Sequence, residues 1–233
     1  MWNNLSQHEF DTHKHSTEEV DPAAADNILI AHPCLLQYLR EKIPTGHILE
    51  FGCGAGKFAK ELNDNGYQVT AIDPAEGMIK QARKNITSGV QFLVGTSSEL
   101  PDEKYDGISS VMVFQFIKDF EITISELTKE LKPEGTIIFA VFNPEWVKLC
   151  AEQNYRFRDF DNKECIGEGL IDYGGENCAP VYVRTAQEYD SALINLGFKK
   201  EYEEIPPFTE EFKKSYPEYI VDVPEFLILG YSK

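Results

Sequence analysis

The chain has 233 residues, 42% hydrophobic and 12% aromatic, with no low-complexity tract or internal repeat. That is enough for one large domain burying roughly 70–75% of its extended-chain surface, and it argues against disorder. The formal charge of −17, from 39 acidic against 22 basic residues, is spread along the sequence; it repels phosphate backbones and anionic lipid, so nucleic acid and membrane surfaces are disfavoured partners.

The polar start, "MWNNLSQHEFDTHKHSTEEVD", has no signal-peptide core, and the longest apolar runs, "TIIFAVF" and "FLILGY", are too short to span a bilayer. The five cysteines (Cys34, Cys53, Cys150, Cys165, Cys178) form no CxxC pair, so neither a disulfide framework nor a structural zinc site is expected. A cytoplasmic protein, monomeric or homodimeric, with reduced thiols follows.

Residues 1–46 read as a lead whose later part, "PAAADNILIAHPCLLQYLREKI", has helical periodicity interrupted at Pro33. Such a lead would cover a sheet edge or act as a lid over a site. Strand-like runs then recur at 47–51, 68–73, 90–94, 107–114 and 135–142, with helical segments between them. Phe58, Ala59 and Leu62 share one helical face, as do Met78, Ile79 and Ala82. Strands alternating with helices of ten to fifteen residues predict a doubly wound α/β fold with a parallel sheet.

The rhythm breaks over 144–183, where six aromatics (Trp146, Tyr155, Phe157, Phe160, Tyr173, Tyr182) and Gly174-Gly175 show no clean period. An insertion beside the carboxyl ends of strands either builds substrate specificity or is a loop-and-hairpin excursion that packs its aromatics into a small core of its own. Regularity returns with a helix capped by Thr185 and ended by Gly197, then strands at 199–205 and 225–231 around an acidic, proline-punctuated segment.

The stretch "ILEFGCGAGKF", 48–58, places three glycines after a strand and before a helix, the arrangement that lets backbone approach an anionic or nucleoside ligand. A triphosphate loop would need Ser or Thr where Phe58 stands, and a dinucleotide loop would need glycine where Lys57 stands. Asp73, 19 residues beyond Gly54 at the end of the second strand, suits a carboxylate accepting ribose hydroxyls of any adenosine cofactor.

Taken together, these motifs resemble the class I S-adenosylmethionine-dependent methyltransferases of small molecules, whose first motif reads like [DE]-x-G-C-G-x-G. Glu50, Gly52, Cys53, Gly54 and Gly56 match it position by position. "VTAIDPAEGMIKQAR", "VGTSSELPDEKYDGISSVMVFQFIKD", "LKPEGTIIFAVF" and the closing "YVRTAQEYDSALINLGFKK" and "VPEFLILGYSK" resemble the later motifs, so the likeness runs from about 47 to 233. It implies a Rossmann-like, seven-stranded, mostly parallel sheet with its last strand reversed over 47–233, the helical lid at 1–46, and an insertion after the fifth strand at 144–184. The cofactor it implies is S-adenosyl-L-methionine, with Glu50, Gly52, Cys53, Gly54, Gly56, Asp73, Pro74, Met78, Thr96, Ser97, Ser98, Val113, Phe114 and Gln115 around it. One position departs from the pattern: "GTSSELP" has Thr96 or Ser97 where the family commonly has an Asp facing adenine, so a hydroxyl, the backbone of Ser97 and Ser98, or Glu99 would take that contact.

Methyl transfer from a sulfonium needs alignment, exclusion of water and removal of a proton when the acceptor carries one. All five histidines precede residue 48, so a histidine base would come from the lead, with His13 and His15 as candidates against the plainer alternative of a solvated terminus. Otherwise Tyr173, Tyr182 and Arg184 are the polar candidates, each more often structural. "VFQFIKD" lacks the Pro-Pro-Tyr type of motif used on planar amides, and Phe114 and Phe116 suggest an apolar wall for a small organic acceptor with an O-, N- or C-nucleophile. The alternative function is a catalytically silent protein that binds the cofactor as a regulator or partner.

Overall fold

A computed structural model describes residues 25–173, 178–217 and 222–233; the expectations placed on His13, His15 and Gly174-Gly175 lie outside them. The lead forms a π-helical turn, Asn27–Ala31, running directly into α1, His32–Lys42. Pro33 does not interrupt the helix. It stands in the first turn of α1, where its missing N–H costs little, and the wider turn before it carries the chain through, with His32 N donating to Asn27 O.

The core follows as β1 (His47–Phe51), α2 (Lys57–Asp64), β2 (Gln68–Asp73), α3 (Glu76–Asn85), β3 (Val90–Val94), β4 (Tyr105–Val111), α4 (Phe120–Lys129) and β5 (Leu131–Phe142). After β5 come α5 (Pro144–Glu152), short strands β6 (Phe157–Arg158), β7 (Gly167–Asp172) and β8 (Cys178–Val183), then α6 (Ala186–Asn195), β9 (Lys199–Glu204), α7 (Glu210–Ser215) and β10 (Phe226–Ser232). The large sheet has the order β3-β2-β1-β4-β5-β10-β9, parallel except for β10, which runs antiparallel to both β5 and β9. This is the expected seven-stranded doubly wound sheet with its last strand reversed.

Strand alternation puts neighbouring residues on opposite faces, which is why the sheet carries two cores. Ile48, Val69, Ala71, Ile138 and Ile228 bury against Leu35 and Leu39 of α1, Phe58 and Leu62 of α2 and Ile79 of α3. Their neighbours Leu49, Ile108, Ile137, Phe139 and Leu229 bury against Phe120, Ile124 and Leu127 of α4 and Tyr189 and Leu193 of α6. The helix at 186–195 carries the predicted cap: Thr185 N donates to Glu188 Oε2 at 2.8 Å, Glu188 N donates back to Thr185 Oγ1 at 3.3 Å, and Gly197 follows with φ +86°.

The 144–183 stretch is more regular than its sequence suggests. It holds α5 and a separate antiparallel sheet in the order β6-β7-β8. Phe142, Trp146, Phe157, Ile171 and Val181 make a third core, with Trp146 stacked on Phe142 at 5.5 Å. The acidic segment before β10 likewise hides α7, which buries Phe212 against α1's side of the sheet. Among the described residues no helix is long and apolar enough to cross a membrane.

Candidate active site

The direction of chain progression reverses between β1 and β4, and a crevice outside the carboxyl ends of strands at such a point is where open α/β sheets bind ligands. A cavity of about 460 Å³ lies there. Its walls come from the β1–α2 loop, the end of β2, the 96–97 turn, the segment after β4, the helical lead and the small sheet.

The loop between β1 and α2 is built from left-handed backbone. Gly52, Gly54 and Gly56 have φ of +76°, +51° and +82°. At Gly52 a Cβ would stand 2.3 Å from Val113 Cγ2, and at Gly56 one would stand 2.8 Å from the Phe92 ring, whereas Gly54 faces open space. The outer two glycines thus let the loop pack down, and the middle one leaves the cavity floor clear. Gly52→Ala is expected to destabilise the fold by about 2–5 kcal/mol, from positive φ and overpacking together. A thermal melt indistinguishable from wild type would contradict the close approach of Val113.

Asp73, at the end of β2, ties this loop to its neighbour. Its Oδ2 accepts from Gly54 N at 2.9 Å and its Oδ1 from Ala75 N at 2.8 Å. Burial pushes its carboxyl above the usual range, and those two backbone donors pull it back. Glu50, on β1, is 2% exposed and its Oε2 has no hydrogen-bond partner. Burial, followed by the charges of Glu61 and Asp73, raises its carboxyl well above the ordinary value, against the lowering effect of the Ala59 backbone N–H. Gln115, 1% exposed, leaves both amide atoms without a partner. Buried polar groups are seldom left so, and two of them on one cavity mark a place prepared for a polar ligand.

Of the residues the sequence put around a ligand, Glu50, Gly52, Cys53, Gly54, Asp73, Pro74, Met78, Thr96, Ser97, Val113 and Gln115 all line this one cavity, as does Tyr173. Others fall elsewhere. Gly56 packs on Phe92 as the first turn of α2 begins. Phe114 is fully buried in the core, stacked on Phe51 at 5.9 Å and edge-on to Phe139 at 5.0 Å, so of the two phenylalanines only Phe116 forms cavity wall. The 114–116 stretch is a 3-10 turn, which aims its first and third residues differently from a strand.

The 96–99 turn also differs from expectation. Thr96 and Glu99 form a capping box in which Glu99 Oε2 accepts from Thr96 N at 2.6 Å, so Glu99 closes its own turn instead of reaching the ligand. Ser98 Oγ stays with Thr96 Oγ1 at 3.0 Å, and Ser97 Oγ donates to Glu126 Oε2 at 2.6 Å. Arg184 is structural: its guanidinium donates to the carbonyls of Phe114, Ile117 and Lys118, at 3.2, 2.8 and 2.7 Å. Tyr182 lies outside the cavity, its ring under Arg184 and Lys118.

The structure adds residues that sequence reasoning did not single out: Asn27 and His32 from the lead, Phe142, Arg156, Ile171, and Glu225 just before β10. His32 was visible as a histidine of the lead. Its Nδ1 pairs with Glu61 Oε2 at 3.0 Å and its ring leans on Phe58 at 4.7 Å, a placement no local pattern announces.

Comparison with known proteins agrees with this geometry. Residues 49–139 match the family described as "Methyltransferase domain". An uncharacterized protein of Haemophilus influenzae is 26% identical over 204 residues, 79% of each chain. The malonyl-[acyl-carrier protein] O-methyltransferase of Priestia megaterium is 38% identical over 105 residues, 41% of this chain and 36% of that one. The chain thus spans little more than a third of that named relative. The crystal structure of an S-adenosylmethionine-dependent methyltransferase from Mesorhizobium loti superposes with a TM-score of 0.68 at 22% identity, over 84% of this chain and 96% of the other. Residues 49–139 thus carry the match to a methyltransferase domain, and motifs and sheet order give the chain the fold of the class I S-adenosylmethionine-dependent methyltransferases.

Proposed function

We propose that the cavity binds S-adenosylmethionine and that the chain moves its methyl group to an O-, N- or C-nucleophile of a small organic acceptor. The observation that carries this reading is the set of orphaned buried groups, Glu50 Oε2 and the Gln115 amide, lying with Asp73 around the open face of Gly54. Those groups fit the cofactor's chemistry. A buried carboxylate suits its ammonium, an unpaired amide suits its polar amino-acid tail, and the Asp73 carboxylate, each oxygen keeping a lone pair beyond its backbone bond, suits ribose hydroxyls. Met78, Thr96 and Ser97 would then face the nucleoside, and the Thr96–Glu99 box leaves the adenine without a charged side-chain acceptor.

When bound, the cofactor supplies a methyl group already activated on a sulfonium sulfur. The chain's own part is to hold Glu50, Gln115 and Asp73 against fixed positions, to exclude water with Phe116, Phe142 and Ile171, and to present the acceptor in line. The lead, with Asn27 and His32 on the cavity, would serve as the lid, and the small sheet, with Ile171 and Tyr173, as the acceptor side.

Because Glu50's raised carboxyl must be ionised to meet a cation, cofactor affinity is expected to increase as pH climbs above the ordinary carboxylate value near 4.3. Calorimetry as a function of pH checks it, and a flat profile would remove Glu50 from the contact. Turnover is tested by incubating the protein with methyl-labelled cofactor and a broad metabolite panel. Label transferred to a panel member supports the enzyme, whereas tight binding without any transfer favours the silent reading.

A further inference from the structure

One carboxyl group on the cavity has no part in the cofactor reading above. Glu225 is 3% exposed, lines the cavity, and its Oε2 has no hydrogen-bond partner. Its backbone is fixed: Asn143 N donates to Glu225 O at 2.7 Å, and Asn143 Nδ2 donates to Pro224 O at 2.8 Å. Behind it stands Asp26, 1% exposed, at the start of the helical lead. A carboxyl buried against a second carboxyl is held protonated more firmly than usual, and burial with Asp26 does raise Glu225 well above the ordinary value.

The other charged and titratable groups facing Glu225 come from three places. Cys150 of α5 has its thiol pushed up to about 12, chiefly by burial, Tyr173 follows β7, and Arg156 lies between α5 and β6. Of these only Arg156 favours the ionised form of Glu225. Around the group the walls are apolar and aromatic: Phe116, Phe142 and Ile171.

Resting on the cofactor reading above, we infer that Glu225, backed by Asp26, is the proton acceptor for a neutral hydroxyl carried on an aromatic ring, and that this hydroxyl is the methyl acceptor. In the step, the hydroxyl proton passes to the Glu225 carboxylate while an oxygen lone pair forms the new O–C bond to the methyl carbon. The C–S bond breaks with its electron pair going to sulfur, which leaves as a neutral thioether. A carboxyl tuned upward is the better base for such a proton, and an anionic acceptor would meet repulsion from the same pair.

Phenol and benzoate form a matched pair of probes, the same ring bearing a neutral hydroxyl or a carboxylate. They are titrated calorimetrically into wild type, Glu225→Gln and Asp26→Asn, each saturated with S-adenosylhomocysteine. Phenol is expected to bind wild type about tenfold tighter than benzoate, to lose about tenfold in Glu225→Gln, and to bind more tightly as pH climbs through the Glu225 titration. Asp26→Asn removes the neighbouring charge that raises Glu225, so that climb should move to lower pH. Benzoate binding as tightly as phenol, phenol affinity unchanged in Glu225→Gln, or an unmoved pH profile in Asp26→Asn would each overturn the inference. If Glu225→Gln does not fold, the wild-type ratio and the Asp26→Asn profile decide. Failure of wild type to bind S-adenosylhomocysteine would instead overturn the cofactor reading, so the two failures are told apart.

Discussion

Asp73→Ala is expected to weaken S-adenosylhomocysteine binding by one to two orders of magnitude, about the 1.5–3 kcal/mol of a charged hydrogen bond. Two losses combine in that figure. The carboxylate proposed for the ribose disappears, and so does the brace that accepts from Gly54 N and Ala75 N and holds the loop under the ligand. Asp73→Asn separates them, since its single carbonyl oxygen keeps one of the two backbone bonds while the charge is gone. Calorimetry on both variants is the check. Affinity unchanged in Asp73→Ala would remove the ribose from this end of β2.

Glu50→Gln is expected to divide stability from function. The carboxyl is buried with one oxygen unpartnered, so its ionisation works against the cofactor-free fold. Because its folded pKa is raised, the stability it contributes is complete below the unfolded value near 4.3 and is lost as pH rises through the folded value. Glutamine has no such titration. The melting temperature of the cofactor-free variant should therefore exceed that of wild type by a margin that widens with pH, reaching several degrees for about 1–3 kcal/mol of relieved burial. Cofactor affinity should fall at least tenfold in the same variant, and its pH dependence should vanish. A variant that is both less stable and equally tight would contradict the assignment of Glu50 to a cation.

The strands were legible in the sequence because each is a short apolar run bounded by turn residues. β1, β2 and β3 stand at the boundaries their sequence predicts, and the Thr185 cap and Gly197 stop fix α6. α7 was not legible, since "EEFKKS" buries a single side chain, Phe212, and reads as polar loop. The small sheet was legible only as a loop-and-hairpin excursion, because two-residue β6 has no period to detect and β7 carries two glycines in six residues.

Within the site, Glu50, Gly52, Cys53, Gly54 and Asp73, which motifs fix by spacing, line one cavity, while Gly56 packs on Phe92. Residues that depend on which way a turn faces do not all follow. Phe114 went to the core while Phe116 stayed on the cavity, and Glu99 closed on Thr96. Glu225 and Arg156 were out of reach for another reason. They meet only because β10 inserts beside β5 while the small sheet folds back over the same mouth, a long-range placement that no local pattern encodes.

The most direct test of a nucleoside-sulfonium site at the β1–β4 crevice is calorimetric titration of the wild-type chain with S-adenosylhomocysteine and, separately, with NAD. Binding of S-adenosylhomocysteine, weakened by both Asp73→Ala and Glu50→Gln, with no heat from NAD, is the expected result. Binding of NAD with no response to S-adenosylhomocysteine would contradict it.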